Sequence, residues 1–130
     1  MGLEERRKIK ELEETVLPGR VEEIKEICGA AIPYEIDWAS FDGDLEALTF
    51  LDNISCHRLN MALRAICVDD LGKEAVRQSL ETVRLRNVNE VEDKSLAFSG
   101  GVLEMACAYA AHLDGAFSDA EIRDLLMANL

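Results

Sequence analysis

The sequence predicts an α+β fold: a mostly antiparallel sheet of about four strands covered on one face by helices, with a helical N-terminal arm and a capped C-terminal helix. Three patterns carry this. Apolar and polar residues alternate with period two in "IPYEIDW" (32–38) and "TVRLRNV" (82–88). Two short apolar runs flank a glycine-rich turn in "KSLAFSGGVLEMACAY" (94–109). The remaining segments repeat their apolar residues at helical spacing.

The elements follow in order. Residues 3–28 are helical, with Ile9, Leu12 and Val16 on one stripe and Val21, Ile24, Ile27 and Cys28 on a second, rotated stripe. "LPGR" separates them, and Pro18 predicts either two helices or a sharp kink. Residues 1–17 are charged on most of their circumference and read as an arm that packs by a narrow stripe or against another chain. Gly29 suits a C-terminal stop.

A strand at 32–38 has Pro33 near its start, which suits an edge or a strand beginning. From Asp44 to Leu71 the pattern is helical, with Leu48, Leu51, Ser55, Leu59, Ala62, Leu63 and Ile66 along one side. A single helix of that length would span about 40 Å, so a break is predicted near Asn53–Cys56. Gly72 ends this stretch, and "KEAVRQSLE" forms one more short helix before the strand at 82–88.

Residues 102–113 can be read two ways. As a helix they would be apolar nearly all round, and Ala, Leu, Met and Glu favour helix. The Ser-Gly-Gly turn favours a hairpin, and a helix buried on all sides is hard to place in so small a domain. The hairpin reading puts Leu103, Met105, Cys107 and Tyr109 on the inner face, and Val102, Glu104, Ala106 and Ala108 on the outer. "FSDAEI" then opens a helix over 119–129: Ser118 is the N-cap, Glu121 its capping-box partner, and Phe117 and Ile122 form the staple.

The composition narrows the functional classes. At 130 residues the chain suits one globular domain over 1–130, which buries about two thirds of its unfolded surface. Twenty-six acidic residues against fourteen basic ones give a net charge of −12. The excess is uneven, for residues 30–72 hold eight acids and two bases while 73–94 hold five of each. Such a field repels phosphate backbones and anionic headgroups, so neither nucleic acid nor membrane is a predicted partner. The N-terminus carries charge where an export signal needs an apolar core, which predicts a cytoplasmic protein.

Cys28, Cys56, Cys67 and Cys107 stand far apart, with no Cys-x-x-Cys pair, and read as reduced, buried thiols. Cys56 and His57 are adjacent, so on a helix they point about 100° apart and cannot act as nucleophile and base for each other. A zinc site from Cys56, His57, Cys107 and His112 lacks the usual two-to-four residue spacing. The acids between Asp114 and Asp124 do not follow a calcium-loop pattern, and no phosphate-loop motif is present. No catalytic residue, metal or cofactor is therefore predicted.

The candidate binding surface is the outer face of the sheet, carrying Glu35, Asp37, Arg84, Arg86 and Glu104 over Ala97, Ala106 and Ala108. It suggests a non-enzymatic interaction or regulatory domain with a basic protein partner, or a homodimer. One version is a small acidic inhibitor of the immunity-protein kind. The alternative is a small-molecule-binding domain or enzyme with a pocket between sheet and helices, using Cys107, His112 or Glu104.

Overall fold

The computed structural model describes residues 1–130 and has the α+β architecture read from the sequence. Helix α1 covers residues 3–28, α2 residues 45–66, α3 Asp70–Ser79 and α4 Asp119–Asn129. The strands are β1 (Tyr34–Ile36), β2 (Thr82–Asn87), β3 (Ser95–Ser99) and β4 (Val102–Cys107). Single 3₁₀ turns lie at Trp38–Phe41 and Val91–Asp93, and a longer 3₁₀ segment runs over Tyr109–Gly115.

The strand order is β1-β2-β4-β3, and the sheet is mixed rather than mostly antiparallel. β1 runs parallel to β2 because two helices, α2 and α3, carry the chain from one end of the sheet back to the other. β2 and β4 are also parallel, Thr82 facing Val102 through Asn87 facing Cys107. Only β3 and β4 are antiparallel. The chain leaves β2, lays β3 one strand-width too far out, and returns through Gly100 and Gly101 to fill the gap with β4. Both glycines have positive φ, 58° and 82°, as the two central positions of a tight hairpin turn require.

The hairpin reading of residues 95–107 thus describes the structure. Its tail differs: extended structure ends at Cys107, and Tyr109 enters the 3₁₀ segment, still fully buried. The strand expected over 32–38 shortens to Tyr34–Ile36, since Pro33 has no amide to donate and the chain turns at Trp38.

Neither predicted helix break occurs; both become π-helical turns. In α1 the segment Leu12–Val16 is π-helical, and Leu17 donates its N–H to the Leu12 carbonyl five residues back. The wider turn just before Pro18 accommodates its missing donor and its ring while the helix continues. In α2 the segment Asp52–Cys56 widens in the same way at the predicted break. Gly72 lies inside α3 rather than ending α2, which stops at Ile66. Asp69 caps α3 by accepting from the Gly72 N–H at 2.8 Å. The two helices meet so closely that a Cβ on Gly72 would strike the Ile66 carbonyl oxygen.

The helices cover one face of the sheet. Val83, Leu85, Leu103 and Met105 point down onto Leu48, Leu59 and Leu63 of α2 and Ile122 and Leu126 of α4, all with 1% exposure or less. Each such side chain contributes about 2 kcal/mol by leaving water, so this layer holds the fold together. α1 packs along α3 and α2, with Leu12 and Ile24 fully buried and the N-terminal amine 3.4 Å from Asp42. Arg58 donates to the Phe117 carbonyl at 2.8 Å and fixes the entry to α4, where Ser118 and Glu121 form the capping box.

Two glycines in helices test this packing with opposite signs. Gly72→Ala is predicted to destabilise the protein by about 2 kcal/mol or more, because the methyl must displace backbone. Gly19→Ala, with open space around the new methyl, is predicted to stabilise it by up to about 1 kcal/mol. Urea unfolding of both variants checks the pair.

Candidate functional site

The outer face of the sheet is assembled by strand register. In one row across the strands, Glu35 of β1 faces Arg84 of β2, Arg84 faces Glu104 of β4, and Glu104 faces Ala97 of β3. Carboxylate, guanidinium and carboxylate therefore alternate across three neighbouring strands. Arg84 Nε donates to Glu35 Oε2 at 2.7 Å. Glu104, directly opposite Arg84, pairs diagonally with Arg86, Nε to Oε1 3.6 Å. The hydrogen bond to Glu35, and then the nearby carboxylate charges, raise the Arg84 pKa above its already high value.

Asp37 lies where β1 gives way to the turn. Its N–H donates to the Leu85 carbonyl at 2.9 Å, extending the β1–β2 ladder, and its side chain is exposed. Glu35, Asp37, Arg84, Arg86 and Glu104 line one depression of about 370 Å³, with Ile36 and Leu85 contributing beneath them. All five residues singled out in the sequence thus border the same hollow. The side chains of both ion pairs are 43–56% exposed, so solvent screens them and they add little to stability.

The alanine floor differs from the sequence reading. Ala97 is exposed, but Ala106 and Ala108 are buried although they were placed on the outer side. The Val91–Asp93 turn packs against β4. The Tyr109–Gly115 segment folds back so that Ala108 N–H donates to the Gly115 carbonyl at 2.9 Å. Contact space on this face is therefore confined to the half of the sheet carrying Glu35, Arg84, Glu104 and Ala97.

The cysteines and histidines considered for catalysis or zinc go separate ways. His112 Nε2 is 2.8 Å from Glu46 Oε1, and its ring stacks on Phe50 at 4.1 Å between centroids. The backbone there has φ 56°, unusual for a residue other than glycine. Cys107 lies 3.8 Å from Ser55 Oγ, which is 2.7 Å from the buried Tyr109 hydroxyl. Cys56 is fully buried, and burial pushes its thiol pKa up, as it does for Cys107. Protonated, enclosed and without a second thiol beside them, these two are packing groups rather than nucleophiles.

A polar cluster escaped the sequence reading because its members are distant in the chain. Arg20 in α1 grips Asp52 in α2 with two hydrogen bonds, 2.8 and 3.0 Å, and donates to Glu23 at 3.0 Å. Asn60, with no exposed surface, donates to Glu23 at 2.8 Å and to the Arg20 carbonyl at 3.1 Å. Its amide oxygen accepts from the Tyr34 hydroxyl at 3.0 Å. The π-turn at Asp52 brings that carboxylate to the Arg20 fork, and every member is satisfied, so the cluster clamps α1, α2 and β1 together. Asn87 does the same at the end of β2, donating to the Ser40 carbonyl and accepting from Tyr109 N–H.

Compared with family models, curated proteins and solved structures, the chain matches none.

The clamp has a pH signature. Burial alone would raise Glu23, but hydrogen bonds from Asn60 and Arg20 and the nearby arginine charges hold it below its ordinary 4.5. A lowered folded pKa contributes stability that is complete above 4.5 and lost as pH falls through the folded value. Glu23→Gln is therefore predicted to cost about 1 kcal/mol at pH 7 and to flatten the dependence of unfolding free energy on pH below 4.5. Denaturant titrations from pH 7 to acid measure both.

Proposed function

We propose that this protein is a non-enzymatic interaction or regulatory domain of the cytoplasm, a small acidic protein that binds a basic protein partner through the open sheet face. The observation that carries this reading is the collection of Glu35, Asp37, Arg84, Arg86 and Glu104 around one hollow on the face that no helix covers. Carboxylates outnumber arginines there, and the chain as a whole has a net charge of −12, which favours a cationic surface and speeds encounter with it.

The ion pairs suit exchange. Arg84–Glu35 and Arg86–Glu104 contribute little to the fold, so a partner's arginine or lysine can take over a carboxylate at small cost while the displaced arginine turns to a partner acid. Exposed Ala97, Ser95 and Ser99 on the adjacent strand leave room for close approach. A catalytic or small-molecule pocket between sheet and helices has less support, because Leu48, Leu59, Leu63, Leu103 and Met105 fill that layer. No helix is long and apolar enough to cross a membrane.

The test compares the wild type with Glu35→Lys/Glu104→Lys and with Arg84→Ala/Arg86→Ala, each immobilised and exposed to native extract, followed by affinity measurement on the protein retained. The expected result is a basic partner whose affinity falls at least about tenfold with either double variant and weakens with salt, while Tm moves little. Retention of the same partner with equal affinity by all three would overturn the assignment to this face. A large loss of Tm in the arginine variant would instead make these residues structural.

A further inference from the structure

The four cysteines are not equivalent. Cys28 is the last residue of α1 and Cys67 the first after α2, 39 positions apart in the chain, yet their sulfurs lie 3.1 Å apart in the seam between the two helices. Cys56 and Cys107 have no thiol neighbour of this kind; their partners are Tyr34 and Ser55. We propose that Cys28 and Cys67 are a modification site, a dithiol that closes to an intramolecular disulfide when the protein meets hydrogen peroxide.

The surroundings set the order of events. Cys28 has no exposed surface, and its carbonyl is held by Arg77 Nη1 at 2.9 Å, whereas Cys67 retains 6% exposure beside Val68, which is 76% exposed. We assign the approach of peroxide to this exposed side of Cys67. Burial pushes both thiols up, while the positive charges of Lys73 and Arg77 favour the thiolate at each.

Cys67 is thus the sulfur that reacts first. Its thiolate attacks one peroxide oxygen; the O–O bond breaks, and the departing hydroxide takes up a proton to become water. The product is a sulfenic acid on Cys67. Cys28 then attacks that sulfur, the S–O bond breaks, and the second hydroxide leaves as water with the Cys28 proton. Two thiols and one peroxide give one disulfide and two waters, with peroxide reduced and the sulfurs oxidised. The new bond ties the ends of α1 and α2 and closes a long loop in the unfolded chain, so the oxidised protein gains stability.

Native protein is treated with hydrogen peroxide, the oxidant is removed, and free thiols are alkylated in denaturant before digestion and mass spectrometry. The expected product is a linked peptide pair containing Cys28 and Cys67, with Cys56 and Cys107 still alkylated and the thiol count falling from four to two. Tm rises by roughly 10 °C and returns on reduction with dithiothreitol. A Cys56→Ala/Cys107→Ala variant still cross-links, and Cys67→Ser does not. Linkage through Cys56 or Cys107, disulfide-joined dimers, sulfinic acid without a cross-link, or four intact thiols at peroxide levels that oxidise an exposed model thiol would each overturn the proposal.

Discussion

The Gly100–Gly101 turn returns β4 between β2 and β3, and the six-residue parallel ladder with β2 joins the C-terminal hairpin to the rest of the molecule. β4 is the only strand with a long neighbour on either side, and it is the most deeply buried. Its position fixes two further features. It drives Leu103 and Met105 into the layer shared with α2 and α4, and by strict alternation it turns Glu104 outward opposite Arg84. A one-residue slip would bury a carboxylate and expose the core, so the ladder that builds the hydrophobic layer also writes the charge pattern on the open side.

Energies divide between the two faces accordingly. The inner face gains about 2 kcal/mol for each large apolar side chain it removes from water, while the outer ion pairs gain a fraction of that. The outer ion pairs, more than 40% exposed, therefore add little to the stability that the inner face supplies. The clamp of Arg20, Glu23, Asp52 and Asn60 belongs with the core: it is less exposed, fully bonded, and joins α1 to α2.

Much of the fold was legible because local periodicity and turn chemistry agreed with it. Ser118 and Glu121 announced α4, the paired glycines announced the hairpin, and alternation in 82–88 announced β2 and its two faces. Strand direction was not legible, because a hairpin is local whereas the slot into which β4 inserts is defined by β2, joined to it through a polar link. Pro18 was misread because propensity rules treat a proline as a break, while a π-turn immediately before it preserved the helix. The charged row emerged intact, since Glu35, Arg84 and Glu104 each followed from alternation within their own strand. The buried state of Ala106 and Ala108 did not, because it depends on how the Val91–Asp93 turn and the Tyr109–Gly115 segment fold over them.

Residue-resolved amide hydrogen exchange over 95–107 tests the placement of β4 most directly. In a two-residue hairpin the residues flanking the turn exchange both hydrogen bonds, so Ala97 and Ser99 donate to β4 while Leu96 and Phe98 aim their N–H groups at solvent from the sheet edge. Slow exchange is expected throughout 103–107, where β4 is bonded on both sides, with fast–slow alternation along β3. Uniform slow exchange from 102 to 113 without alternation in 95–99, the behaviour of a buried helix, would contradict it.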